Sequence, residues 1–117
     1  MQDHFENLKV WQKGMELTQN IYQATRNFPK EEQYGLTSQM RRAAVSIPAN
    51  IAEGKGRAHR KEYIQFLHMA RGSAFEQMTL IKLARALGYL TVVESEKLLS
   101  LTNEISAMLI GLIKSMQ

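Results

Sequence analysis

Leu36-Thr37-Ser38-Gln39-Met40-Arg41-Arg42-Ala43-Ala44-Val45-Ser46-Ile47-Pro48-Ala49-Asn50-Ile51-Ala52-Glu53-Gly54-Lys55-Gly56 is the stretch on which the fold class turns. Its apolar residues Leu36, Met40, Ala43, Ile47 and Ile51 recur every three or four positions, which lines one face of an α-helix. The pattern ends in Glu53-Gly54-Lys55-Gly56, where glycine accepts the left-handed backbone of a helix stop. Pro48 lies inside the helix, donates no hydrogen bond and clashes with the Ala44 carbonyl. That costs about 3 kcal/mol and predicts a kink. Ser46 and Asn50 lie beside the break, within reach of the freed backbone groups.

Three further segments read the same way. Upstream, Leu8, Trp11, Met15, Thr18, Tyr22 and Thr25 step by three and four from about Phe5 to Asn27. Phe28-Pro29 ends that helix, because the residue before a proline is pushed out of the helical region. Downstream, Tyr63, Leu67, Ala70, Ala74, Met78 (with Gln77 beside it), Ile81 and Ala84 mark a third helix, closed by Gly88. Thr91 and Glu94 form a capping box for a fourth, which carries Leu98, Leu101, Ile105, Met108, Leu112 and Met116. No segment shows the two-residue alternation of a strand, and the short connections require antiparallel neighbours. The expectation is an all-α, antiparallel up-down-up-down four-helix bundle forming one domain over residues 1–117. Helices of about 20 to 27 residues would be about 30 to 40 Å long.

Hydrophobic residues at 44% and charged residues at 22% exclude a disordered tail. Without cysteine there is no disulfide, thiolate zinc site or cysteine nucleophile, which fits a reducing compartment. The opening Met1-Gln2-Asp3-His4 is polar and acidic, and uninterrupted apolar runs fall far below the roughly 18 residues of a membrane span. A cytoplasmic protein with no membrane partner is expected. The three histidines, His4, His59 and His68, form no Glu-x-x-His or His-x-x-x-His pair, and there is no calcium loop. Gly54-x-Gly56 lacks the later glycine, the preceding strand and the Lys-Ser/Thr ending of a phosphate-binding loop. No enzyme, metal or cofactor is expected.

Charge is unevenly spread. Residues 41–85 hold nine bases and three acids, whereas the remainder holds six bases and eight acids. An anionic partner on one face and a merely solvated surface both fit this polarity. The run Lys55-Gly56-Arg57-Ala58-His59-Arg60-Lys61 concentrates cations at one turn. Bases at a helix C-terminus favour its dipole, but Arg60 and Lys61 would open the next helix, where positive charge is unfavourable, and phosphate binding accounts for them better. Arg41, Lys55, Arg57, Arg60 and Lys61 are the candidate nucleic-acid contacts. No aromatic series accompanies them, so recognition would be of shape or backbone. Separately, Gln39, Arg42, Ser46, Asn50 and Glu53 form a polar stripe beside the apolar face, with Ser73 and Glu76 opposite on the third helix. A structural network with Arg42 substantially buried, or a ligand or partner site, would explain the stripe.

At these residues the chain resembles the bacterial four-helix bundle protein family. The resemblance rests on Phe28-Pro29-Lys30-Glu31-Glu32-x-Tyr34-Gly35-Leu36-Thr37-Ser38-Gln39, Arg41-Arg42-Ala43-Ala44-x-Ser46-Ile47-x-x-Asn50-Ile51-Ala52-Glu53-Gly54 and Gly72-Ser73-x-x-Glu76. Members are encoded by intervening sequences in large-subunit ribosomal RNA genes or by free-standing genes. The resemblance implies a small cytosolic bundle assembling into a homopentameric ring. It also relates the chain to the accessory variability protein of diversity-generating retroelements, which uses a basic surface to bind RNA and the reverse transcriptase. Two positions depart from the pattern: His59 stands where the family usually has a capping serine, and Gln77-Met78-Thr79 where it commonly has Leu-Glu-Thr.

The first helix argues for self-association independently. On a helical wheel its apolar and small residues cover an arc of about 200°, twice the stripe of about 100° that one-sided packing needs. With Leu8, Trp11, Met15, Thr18, Tyr22 and Thr25 assigned to the core, Val10, Gly14, Leu17, Ile21, Ala24 and Phe28 form a second seam, the expected oligomer interface. The resulting expectation is a non-enzymatic oligomeric adaptor whose basic face binds structured RNA or an RNA-bound protein such as a reverse transcriptase. The alternative is a protein-binding structural scaffold without nucleic-acid binding.

Overall fold

The computed structural model describes residues 4–117. Met1-Gln2-Asp3, part of the polar opening, lies outside the described residues. A 3-10 turn at Phe5–Asn7 leads into α1 (Lys9–Thr25), and a second at Lys30–Glu32 leads into α2 (Leu36–Lys55). α3 (Arg60–Ala86) and α4 (Val92–Ser115) complete an all-α fold with no strand among the described residues. α1 packs on α2 and α4, and α3 packs on the same two helices. The long axis of 43 Å matches the length of α3, and the other two extents are 22 Å.

α1 corrects the sequence reading twice. It starts at Lys9 rather than near Phe5, because Leu8 is extended between the 3-10 turn and the helix. More consequentially, the helix is rotated. Leu17 and Ile21 are 0% exposed, and Val10, Gly14 and Phe28 are also buried, with Ala24 half-buried. The seam assigned to an oligomer interface is therefore the intramolecular core face. Met15 and Tyr22, assigned to the core, are 37% and 41% exposed.

The physical reason lies at the α1–α2 crossing. A Cβ on Gly14 would sit 3.3 Å from both Ile47 Cγ2 and Pro48 Cδ, so the glycine lets α1 settle against the proline ring. The Thr18 hydroxyl donates to the Ala44 carbonyl at 3.1 Å, the acceptor that Pro48 leaves without its usual donor. α2 stays helical through Pro48, and that carbonyl is satisfied from α1 rather than by Ser46 or Asn50. Trp11, Thr18 and Tyr22 have polar tips, and the first two suit the half-buried flank and Tyr22 the exposed one better than the dry core.

Two glycines set the ends of the bundle. Gly88 takes φ 81° and closes α3, which brings Tyr89 against Phe28 and its hydroxyl to Glu32 Oε2 at 3.0 Å. Glu32 also accepts from the Leu36 backbone N–H at 3.1 Å, so one carboxylate ties the α1–α2 connection to the α3–α4 turn. At the opposite end, a Cβ on Gly54 would lie 2.7 Å from Phe66 Cβ. Only glycine admits α3 that close.

The expected capping box opens α4: the Glu94 N–H donates to Thr91 Oγ1 at 3.1 Å, and the Thr91 N–H donates to Glu94 Oε1 at 2.8 Å. Val92–Ser115 is long and apolar enough to cross a bilayer by length and composition. In this fold its Leu98, Ile105, Leu109 and Ile113 are buried in the bundle core, with Ser95, Thr102 and Ser106 buried beside them.

Candidate nucleic-acid interface

The C-terminus of α2 and the N-terminus of α3 meet at one end of the bundle, where Gly54 holds the two helices together. Arg60 and Lys61 occupy the first turn of α3 and are exposed, as the sequence pattern requires. His59 precedes them in extended conformation, and its side chain makes no capping hydrogen bond, consistent with its standing in for serine.

The neighbouring cations are more constrained. Arg57 is exposed but bonds Glu53 Oε2 at 3.0 Å and lies over the Phe66 ring at 4.8 Å from its centroid. Lys55 is half-buried with its ammonium 5.7 Å from the centre of the Tyr63 ring. An anion would meet Arg60 and Lys61 as unencumbered charges and Arg57 in competition with Glu53.

Arg41 does not belong to this cluster. It lies 14 residues before Lys55 on α2, about 21 Å away along the helix. Its Nε donates to Thr25 Oγ1 at 2.9 Å, its guanidinium reaches the Tyr22 carbonyl at 3.5 Å, and it covers the Tyr22 ring at 4.6 Å. It clamps the last turn of α1, where a cation also meets the negative end of the helix dipole.

The polar stripe divides. Ser46 and Ser73 hydroxyls are 2.7 Å apart, and Asn50 Nδ2 donates to the Ser46 carbonyl at 2.8 Å and its hydroxyl at 3.0 Å. These three cross-link α2 and α3. Gln39, Arg42 and Glu76 are instead exposed, and no ion pair joins Arg42 to Glu76 among the described residues. The expected burial of Arg42 is thus overturned: its position on α2 falls on the outer rim of the stripe, and Arg41 is the arginine turned inward. With Ala43, Ser46 and Ser73, the three exposed residues line an open cleft of about 430 Å³. Glu53 serves the surface pair with Arg57.

Sequence reasoning placed Met78 in the core series and missed Gln77, which is 0% exposed. Its Nε2 donates to the Met40 carbonyl at 2.7 Å, and its Oε1 is buried without a partner. The three-residue step from Ala74 and the four-residue step to Ile81 carried the signal. A groove between α3 and α4, lined by His68, Arg71, Ile110, Ile113, Lys114 and Gln117, was also missed. No group of three or more potential metal ligands comes together among the described residues.

Comparison with known proteins bears on this arrangement. The sequence profile of a family described as 23S rRNA-intervening sequence protein matches residues 6–111. Among solved structures, a protein of unknown function from the S23 ribosomal protein family of Bacteroides thetaiotaomicron superposes with a TM-score of 0.81 at 28% identity. That similarity covers 90% of this chain and 98% of the other. No curated protein matches the sequence significantly.

Proposed function

The chain belongs to the 23S rRNA-intervening sequence protein family, and from that premise we propose that it is a non-enzymatic oligomeric adaptor binding structured RNA, or an RNA-bound protein such as a reverse transcriptase, through its basic end. The carrying observation is the pair Arg60 and Lys61, exposed in the first turn of α3. Cations there oppose the helix dipole and cap nothing, so their position is accounted for by a ligand that supplies negative charge.

The assembly proposed is a cytoplasmic homopentameric ring, the count following from the family resemblance alone. Its contact surface is the half-exposed flank of α1 that carries Trp11, Met15 and Tyr22, with Leu8 just before the helix. Exposed Val45 of α2 adds to the supply of apolar surface. Those same side chains favour the second reading, a scaffold that contacts only protein.

A salt titration of binding to unrelated structured RNAs separates the two. Phosphate contacts give a log-log slope of about −0.7 to −0.9 per contact. The adaptor reading expects a steep slope that becomes shallower in the Arg57→Gln/Arg60→Gln/Lys61→Gln variant. Absence of RNA binding selects the scaffold, and unchanged RNA affinity in the triple variant removes the basic end from the site.

A further inference from the structure

The α3–α4 groove holds two cations, Arg71 and Lys114, with no ion-pair partner among the described residues. His68 and Arg71 come from one flank of α3, Lys114 from the last turn of α4 and Gln117 from just beyond it, around a space of about 350 Å³. No Asp or Glu side chain lines it. Elsewhere on the surface Lys13 pairs with Glu104, Arg57 with Glu53 and Arg85 with Glu96, at 3.0 to 3.6 Å. Arg71 and Lys114 have no such partner among the described residues.

Arg71 is the informative member. Its guanidinium lies over the Phe75 ring at 5.2 Å from the centroid, which fixes the arm in place. Its Nε is shielded from solvent and has no hydrogen-bond partner. Buried donors in folded proteins are almost always paired, so the idle Nε shows that the fold supplies this guanidinium with no acceptor, and its terminal nitrogens, which are not shielded, are the donors a ligand can reach. Arginine presents its donors in a fork that matches phosphate, and Lys114 adds a point charge across the groove.

We propose that this groove seats a phosphodiester of a nucleic-acid backbone. The inference rests on the RNA-binding reading above and extends it to a surface remote from the α2–α3 turn. Positions 60, 64, 68, 71 and 75 step along α3 by three and four residues, so Arg60 and Arg71 share one flank about 16 Å apart. Cations in a line along one helix flank fit a polyanion lying lengthwise, whereas a free phosphate needs only one of them. Phe75, exposed beside Arg71, gives the line an aromatic surface that the sequence run at the turn lacks.

The test uses the full chain and a 20-base-pair RNA duplex, with affinity read by fluorescence anisotropy across a salt series. Near 0.1 M salt each phosphate contact is worth about tenfold in affinity and about 0.7 to 0.9 in slope. Arg71→Gln/Lys114→Gln should weaken binding by at least that tenfold and flatten the slope. Arg26→Gln/Lys30→Gln removes the same charge from exposed positions at the opposite end and should do neither. Lys114→Glu alone, on an exposed side chain, repeats the experiment without touching the packed Arg71, and circular dichroism checks each variant's helicity. Equal losses in the groove and control variants, with the natural protein binding well, overturn the groove and leave the RNA reading standing. Failure of the natural protein to bind the duplex overturns both.

Discussion

Gly54→Ala should destabilise the protein, although the same change in an ordinary helix stabilises it. The added Cβ would lie 2.7 Å from Phe66 Cβ, 3.0 Å from Tyr63 Cδ1 and 3.3 Å from the Tyr63 carbonyl oxygen. Carbon atoms in contact prefer about 3.5 to 4.0 Å, so the first overlap is close to 1 Å. Phe66 Cβ is fixed to the α3 backbone and cannot swing aside. Relief requires α3 to move away from α2 or the last turn of α2 to open. Overpacking of this kind costs about 1 to 3 kcal/mol, and the upper half of that range suits a backbone-anchored clash. Alanine's helix propensity returns about 1 kcal/mol, leaving a net loss of about 1 to 2 kcal/mol. For a domain of this size that lowers Tm by about 4 to 8 °C. Gly72→Ala and Gly111→Ala are the controls. Both glycines lie within helices with nothing inside 4 Å of a new Cβ, so each substitution should raise Tm by a few degrees. Thermal melts followed at 222 nm measure all three. A Gly54→Ala protein as stable as the two controls would refute the close α2–α3 approach, and with it the geometry that presents Arg60 and Lys61.

The rotation of α1 makes a second prediction. Leu17→Glu with Ile21→Glu should abolish the fold, because both side chains are fully buried; Met15→Glu with Tyr22→Glu should keep the helical signal and reduce any oligomer to a 13.4 kDa species by light scattering. A folded Leu17/Ile21 variant would reverse the assignment of faces, and a 13.4 kDa natural protein at micromolar concentration would remove the ring. A third concerns pH. The hydrogen bond to Glu32, followed by desolvation and the charges of Glu32 and Glu31, raises the Tyr89 phenol above its ordinary 10.0. A raised folded-state pKa means the contribution is complete below about 10 and is lost as pH rises through the higher folded value. Ultraviolet titration should show one tyrosine ionising late, and Glu32→Gln should return it toward the others.

Periodicity carried the fold class because four long segments repeat apolar residues at helical spacing, and the Thr91/Glu94 box marks one helix start. It could not choose between two adjoining apolar arcs on α1. That choice depends on Gly14 meeting Pro48 and Thr18 meeting the Ala44 carbonyl, contacts between residues about thirty positions apart. The same limit swapped Arg41 with Arg42. One step of 100° separates an arginine clamped onto Tyr22 and Thr25 from one facing solvent, and only the position of α1 decides which is which. Gln77 was hidden by its polarity: a fully buried amide between Ala74 and Ile81 is explained by the Met40 carbonyl on α2, which no local pattern reveals.

The cations sort by what the fold asks of them. Arg41 closes the end of α1, Arg57 answers Glu53, Lys13 reaches Glu104 and Arg85 reaches Glu96. Among the described residues Arg60, Lys61, Arg71 and Lys114 have no carboxylate partner, which they share with Lys9, Arg26, Lys30, Arg42, Lys82 and Lys97, and three of the four lie in the N-terminal half of α3. Surface ion pairs are worth about 0 to 1 kcal/mol, so even the paired set contributes little to stability. A folded bundle therefore needs none of these four, and their grouping around the N-terminal half of α3 and the last turn of α4 fits a ligand that supplies negative charge. Because their loss costs the fold so little, changes at these positions should alter RNA affinity and its salt slope while Tm stays within a few degrees. That separation distinguishes a binding surface from a set of helix caps: capping cations would move Tm and leave affinity alone.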